Sequence, residues 1–448
     1  MKRLTQSIRL YYLPLLSLGC PIIIGYMGFL VTGIADTMMV GKHATEELAA
    51  ASFVNNVLNL FIVCGIGFSR GLTPLIGECW SQKRHDLIGG WLKHSLLVSL
   101  ISVLLMVGLM FVLYLNLDVF NQPNELTPII KPYFLISILT FPFILPAMTF
   151  QHFFDGISRP AVSMWIFVSC NLFNIFGNYI LIYGKMGFPE LGLLGAGISS
   201  LFARFLILFL LVLIFLRKDF CIIYRKGFLH VNLTKERLKR VLKIGAPLSV
   251  QEAFRIWTFG VTAIMVGWLG SKELAAHQIA LTISLVGYTV YWGIGSAVAI
   301  KASYAKGENI WDVVEKTTKA GVLLSLLLVS FLCLVLMYTK GIICFIFTND
   351  IEVNIIFVKI IYVLMVYLIV DSAHIVLTNS LRGLSEVGII MKASFVAYML
   401  IVIPLAYICG FVLNYGISGI WLALPLGLST TIFIYGYHLY KMRPHIKC

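Results

Sequence analysis

Twelve apolar runs, each about 20 residues or longer, follow one another along this 448-residue chain and constrain its fold more than any other feature. They lie at roughly 12–40, 49–75, 89–115, 128–152, 160–184, 192–216, 242–268, 275–300, 317–339, 353–381, 388–413 and 417–440. A helix of about 20 apolar residues matches the hydrocarbon thickness of a bilayer. Runs beyond about 25 residues leave room for tilt or for extension past the bilayer. Only 12% of the residues are charged, where soluble domains carry about 25%, and the mean hydropathy is +0.93. The expected fold class is an all-α polytopic membrane protein with twelve transmembrane helices. Lys2, Arg3 and Arg9 precede the first run. That run is too long for a signal-peptide core and no small-residue cleavage site follows, so it reads as a first span.

The basic residues orient the spans. Cytoplasmic loops of membrane proteins carry a Lys/Arg excess. Of the 34 Lys and Arg, 26 fall before the first run, after each even-numbered run or at the C-terminus, counting the run ends that adjoin those segments. Lys42, Lys131, Lys185, Lys272, Lys340 and Lys359 lie on the other side, and Arg204 and Arg255 lie deep within runs. Both termini are therefore expected in the cytoplasm. The net charge of +14 then reflects topology and not a nucleic-acid partner. Nine scattered cysteines, at 20, 64, 79, 170, 221, 333, 344, 409 and 448, include no CxxC pair. They suggest small core residues, with neither a disulfide framework nor a metal cluster.

The two halves of the chain repeat each other. MMVGKHATEELAA (38–50) aligns with IMVGWLGSKELAA (264–276) at an offset of 226. Gly65-Ile66-Gly67 echoes Gly293-Ile294-Gly295, DGISRP (155–160) falls where RGLSEV (382–387) does, and GLLGAGIS (192–199) where NYGISGIW (414–421) does. Six spans is an even number, so both halves enter the membrane from the same side. The repeat is parallel, with an axis along the membrane normal, as in transporters that alternate access by rocking two bundles. The expected domains are a lobe at 1–216, a basic cytoplasmic linker at 217–241, and a lobe at 242–448.

Ionisable and amide side chains within spans are costly and are default site candidates. Asp36 closes the first run, in GIADTMMVG; its counterpart at offset 226 is Thr262. Either Asp36 reaches water at the span end, or the first half carries a carboxylate for a reason of its own. In span 5, Asn174 and Asn178 are four apart and share a helix face, with Asn171 close to it. These amides serve either as packing glue between helices or as oxygen donors opposite Asp36. A carboxylate with amide oxygens suits Na⁺, and a desolvated Asp suits H⁺. Ser199 and Ser200 can add a hydroxyl. In span 7, Glu252 and Arg255 are three apart and can pair locally; Asp371 in span 10 can share Arg255, with His374 a turn away. His277 and His374 read as packing residues before ligands. Candidate substrate-cavity residues are Gln251, Gln278, Tyr288, Trp292 and Tyr367, aromatic faces being suited to organic cations. Trp257, Phe259, Tyr291 and Tyr362 complete the aromatic set, and no residue in it is separable from core packing by sequence. The chain has no GxxxxGK[ST] loop, no HExxH and no TVGYG-like filter. ATP hydrolysis, zincin chemistry and selective K⁺ conduction are accordingly not expected.

Taken together, CPIIIGYMGFLVTGIADTMMVG, the following ELAA, GIGFSRGLTPLIG, NLFNIFGNYILIYG with GLLGAGISS, AAHQIALTIS and DSAHIVLTNSLRG resemble the MATE (multidrug and toxic compound extrusion) family. These stretches spread over about residues 12–440. The resemblance implies an exporter of two six-helix lobes that exchanges organic cations or other toxic compounds for inward Na⁺ or H⁺, without a cofactor. It implies coupling roles for Asp36, Asn174 and Asn178, which would also be the Na⁺ ligands, and a hydroxyl role for Ser200. It also implies a second-lobe acid at Asp371. The family's span-7 acid would fall eight residues after Pro247, where this chain has Arg255; Glu252 lies one turn earlier. A fixed cation there argues for placing coupling in the first lobe. The expected partners are the lipid bilayer and drug-like small molecules, with no nucleic acid, in a monomer in a bacterial plasma membrane. The nearest rival is a flippase for lipid-linked sugars, which would need more cavity Arg and Lys than Arg204 and Arg255. A membrane enzyme lacks a catalytic constellation here.

Overall fold

The computed structural model describes residues 8–120, 123, 125–348 and 350–443. Lys2, Arg3 and Cys448 lie outside the described residues. The described chain is helical, and its helices follow the apolar runs. In order they are α1 Leu13–His43, α2 Thr45–Arg70, α3 Leu72–Ser81, α4 His85–Leu115, α5 Thr127–Ile138, α6 Phe141–Gly156, α7 Pro160–Tyr183, α8 Gly192–Arg217, α9 Ile222–His230, α10 Lys235–Leu269, α11 Ser271–Gly307, α12 Trp311–Thr339, α13 Ile351–Gly383, α14 Val387–Ser394, α15 Ile403–Tyr407 and α16 Gly416–Lys441. The second and fourth runs each form two helices, broken at Gly71 and at Leu139–Thr140. The eleventh run carries two π-helical stretches, Phe395–Val402 and Ile408–Val412, on either side of α15.

Eleven helical segments among the described residues are long and apolar enough to cross a membrane, which makes this an integral membrane protein. The expected seventh span falls in α10, which is not among the eleven. At 35 residues α10 is long enough, but it carries Gln251, Glu252 and Arg255 where its neighbours carry Leu and Ile. The count of twelve therefore stays an expectation from sequence.

The chain divides into two compact units: Ile24–Ser249, and Val250–Cys448 together with Met1–Ile23. The basic linker belongs structurally to the former. Its helix α9 docks on the start of α4, where backbone lies directly on backbone. A Cβ at Gly89 would stand 1.9 Å from Tyr224 O, and one at Gly227 1.9 Å from Asp86 O. His94 Nε2 accepts the Thr234 backbone N–H at 3.0 Å, and Lys93 donates to Val231 O at 3.2 Å.

The turns recur at the spacing of the aligned sequence. Lys83 and Asn309, 226 apart, and Ser158 and Ser385, 227 apart, all take positive φ near 60°. Each closes a helix with a bond from the next N–H to a carbonyl five residues back: Arg84 to Cys79, Arg159 to Phe154, Ile310 to Ala305 and Glu386 to Leu381, at 2.8–2.9 Å. This is the Schellman arrangement, usually built on Gly. Four non-glycine residues accept the left-handed conformation instead, two in each half.

Candidate ion-coupling site

In the 24–249 unit, α1, α7 and α8 bring the first cluster together. Asp36 on α1 is half-buried. Asn178 on α7 is fully buried and donates from Nδ2 to Asp36 Oδ1 at 2.5 Å. The contact spans 142 residues of sequence. Asn178 Oδ1 is buried and has no hydrogen-bond partner among the described residues. One turn back, Asn174 turns to α8 instead: its Nδ2 donates to Ser199 Oγ at 3.1 Å and to Ser200 Oγ at 3.4 Å. Ser199 Oγ donates in return to Asn174 O at 3.0 Å. This exchange needs close helix approach, which Gly177 permits: a Cβ there would meet Ser199 Oγ at 2.5 Å. So the expected amide face exists, but among the described residues Asn178 alone bonds the carboxylate directly, while Asn174 bonds the serines. Asn171 is 6% exposed and its Nδ2 has no partner among the described residues.

Arg204, also on α8, adds a charge to this cluster that the spacing of Asp36, Asn174 and Asn178 does not reveal. Its Nη1 donates to Thr140 Oγ1 at 2.5 Å, and its charge acts on Tyr133 and on Asp36. Tyr133 on α5 donates to Asn55 Oδ1 at 3.2 Å. No sequence signal marked Tyr133, which sits in an ordinary apolar run. The contrast between halves based on Arg255 is thus weaker than the sequence suggests, because Asp36 also has an arginine in range.

In the other unit, Glu252 is 1% exposed and its Oε2 lies 3.7 Å from Arg255 Nε, the expected local pair. Asp371, 3% exposed, does not take Arg255 as a hydrogen-bond donor. Tyr291 and Tyr367 both donate to its Oδ2, the latter at 3.2 Å. Arg255 instead lies 4.1 Å over the Tyr288 ring, Tyr288 stacks on Trp292 at 5.5 Å, and Arg382 lies 5.2 Å over Trp292. The Tyr288 and Trp292 faces expected to meet a substrate cation have the protein's own guanidiniums over them in this structure. Gln251 is buried and Gln278 is exposed. Tyr367 is spent on Asp371. His374 lies between Tyr398 and Tyr435 and bonds Thr431 Oγ1 at 2.6 Å; His277 accepts from Trp421 Nε1 at 3.1 Å. Both are packing residues.

Among the described residues, no three His, Cys, Asp or Glu side chains converge on a metal-sized site. A monovalent cation at Asp36 would rely on amide and hydroxyl oxygens. The donor set fits that need in one respect: Asn178 presents an unpartnered buried oxygen beside the carboxylate.

Comparison with known proteins places these features. The family model described as MatE matches residues 21–180 and again 247–408. The two matches start 226 residues apart, the offset at which the halves align. The chain is 30% identical over 420 residues to "Probable multidrug resistance protein NorM" of Photorhabdus laumondii, covering 92% of each chain. It is 26% identical over 442 residues to "Multidrug resistance protein NorM" of Vibrio cholerae, covering 96% of this chain and 95% of the other. Its fold superposes on a crystal structure of the Vibrio cholerae MATE transporter VcmN, a mutant, with a TM-score of 0.88 at 14% identity, over 98% and 99% of the two chains.

Proposed function

This chain belongs to the MatE family, and on that premise we propose that it is a multidrug exporter driven by inward Na⁺ or H⁺. The relatives' names supply the substrate class. The observation that carries the coupling is the pairing of Asp36 with Asn178, whose second oxygen is buried and unpartnered. A cation or a proton satisfies both demands there. Na⁺ gains the carboxylate and the amide oxygen together. A protonated Asp36 offers Asn178 Oδ1 the donor it lacks.

Coupling requires that ion and drug favour different conformations of the same protein. Asp36 is the group through which the ion's preference acts, because it sits on α1 while its partner sits on α7. Loading Asp36 changes the charge of that contact and hence the set of the outer part of α1. Asn174, Ser199 and Ser200 hold the α7–α8 face that receives it. We assign Glu252, Arg255 and Asp371 a structural role, since each charge is matched by a neighbour within its unit. The protein works as a monomer in a bacterial plasma membrane, with both termini cytoplasmic.

The test is drug efflux in proteoliposomes with Na⁺ and pH gradients imposed separately. Efflux should follow one gradient in the wild type and neither in Asp36→Asn. Retained ion-driven efflux in Asp36→Asn would remove Asp36 from the mechanism.

A further inference from the structure

At the C-terminal end of α1, the outer end in the orientation proposed above, His43 stands between two carboxylates. Its Nδ1 lies 2.9 Å from Glu47 Oε2, and its Nε2 lies 2.8 Å from Glu190 Oε1. Ionised carboxylates only accept hydrogen bonds, whereas a neutral imidazole has a single N–H. Holding both partners takes a proton on each ring nitrogen. The His43 side chain is 19% exposed and that of Glu190 65%, so water reaches the group.

Three elements meet here. Glu47 lies in the first turn of α2, where the helix dipole favours a carboxylate. Glu190 lies on the connection from α7 to α8. Gly192, which opens α8 with φ +53°, has Glu47 against it: a Cβ there would come within 2.2 Å of Glu47 Oε1. The Tyr183 ring on α7 is 6.1 Å from the imidazole. The other nearby charges in sequence are Lys42 on α1, Glu46 on α2 and Lys185 on the connection. Among the described residues, Glu46 is not within ion-pair distance of the ring, and the two lysines are like-charged with it.

The other half keeps the frame and lacks the device. Glu273 stands where Glu47 does, and Gly416 repeats the left-handed turn of Gly192. Leu269 stands at the offset of His43, and with the helix-opening turns at Gly192 and Gly416 matched, Asn414 stands where Glu190 does; a Cβ at Gly416 would meet nothing within 4 Å. The charged group therefore accompanies Asp36, whose own counterpart is Thr262.

We propose that His43, Glu47 and Glu190 form a proton-binding clasp, open to the outer solution, that fastens the end of α1 to α2 and to the α7–α8 connection. With the ring doubly protonated, both carboxylates are held. Loss of one proton leaves one N–H, so one carboxylate faces a ring lone pair and leaves. Glu190, the more exposed, turns to water. Asp36 lies seven residues back on the same helix, two turns or about 10 Å away. Between them Tyr183 donates to Met39 O at 2.9 Å. Outer pH thus biases the helix segment on which Asp36 acts, through a site other than Asp36. That consequence rests on the exporter reading; the clasp itself does not.

The clasp is tested on the full chain in lipid nanodiscs with ¹⁵N-labelled histidine, the His43 signal being the one lost in His43→Gln. The expected result is an imidazolium signal that persists above pH 7, with a midpoint about one pH unit lower in Glu190→Gln, the scale of a lost opposite charge at this range. An unchanged midpoint in Glu190→Gln, or a wild-type midpoint at the ordinary value of about 6.5, overturns the proposal. Amide hydrogen exchange over residues 36–43, corrected for intrinsic rates, should quicken above the midpoint in the wild type and lose that pH dependence in His43→Gln. A wild-type-like dependence in His43→Gln also overturns it. These readouts need no transport, so a failure of Asp36→Asn to abolish ion-driven efflux would sink the exporter mechanism and leave the clasp standing.

Discussion

Asp36, Asn178 and Arg204 come from parts of the chain far apart in sequence, and their chemistry exists only where α1, α7 and α8 meet. The spacing of Asn174 and Asn178 showed that both lie on one face of α7. It did not show that one bonds the carboxylate and the other bonds Ser199 and Ser200. That division depends on side-chain reach across a helix contact. At this scale we expect Asp36→Asn to remove the ion-driven part of efflux, a loss at the upper end of the roughly 5–150-fold spanned by a coupling of 1–3 kcal/mol, while Asp371→Asn keeps most of it. Equal losses in proteoliposome efflux would return the second unit's acid to the mechanism. Arg204→Gln removes a fixed positive charge that acts on Asp36. It should lower the Na⁺ or H⁺ concentration needed for half-maximal efflux, and an unmoved half-maximum would show that Arg204 serves packing alone.

Helix α9 lies within 217–241, the stretch that reads from sequence as a basic cytoplasmic linker between lobes. Its charge was legible; its docking was not, because it depends on Gly89 and Gly227 meeting backbone 1.9 Å from where a Cβ would stand. A Cβ at Gly89 must push the two helices apart, and overpacking of this kind costs about 1–3 kcal/mol. Cys221, just before α9, is fully buried, and burial pushes its thiol up to about 11. In a variant where Cys221 is the sole cysteine, maleimide should label it slowly at pH 7, and Gly89→Ala should speed labelling severalfold. Fast labelling without Gly89→Ala would mean that α9 does not dock. Burial also raises the Tyr224 hydroxyl to about 12. Both groups hold their protons more tightly folded than unfolded. Their contribution is present below pH 9 and is lost as pH rises toward 11 for Cys221, and from 10 toward 12 for Tyr224. Hydrogen exchange of α9 should therefore quicken in that alkaline window, beyond the intrinsic increase, ahead of the apolar helix α4. No excess over the intrinsic rate would separate docking from these two groups.

At the scale of the whole molecule, one spacing recurs in the sequence, in the backbone and in the family match. MMVGKHATEELAA and IMVGWLGSKELAA, the paired left-handed turns at Lys83/Asn309 and Ser158/Ser385, and the starts of the two MatE matches fall 226 or 227 residues apart. The halves differ where charge is concentrated: Asp36 against Thr262, His43 against Leu269, and Arg255 in the second half alone. The two stretches that align at this offset therefore carry unlike charge. If coupling lies in the first half, a single ion gradient should drive drug export. Proteoliposomes given separate Na⁺ and pH gradients should show one effective driver, and equal response to both would require a second coupling site.

Long apolar runs by themselves determined a helical membrane protein, and the Lys/Arg asymmetry and the 226-residue offset set the expectations of orientation and of two like halves. Those features follow from hydrophobic transfer and helix length, which are properties of consecutive residues. The sequence also singled out Asp36, because a carboxylate in such a run is costly wherever it points. The tertiary structure decided its partners. It turned Asn178 and not Asn174 to the carboxylate, brought Arg204 within range, and covered Tyr288 and Trp292 with Arg255 and Arg382. It also closed His43 between Glu47 and Glu190. Each of these is a contact between helices, and side-chain reach across a helix contact is written in no local pattern.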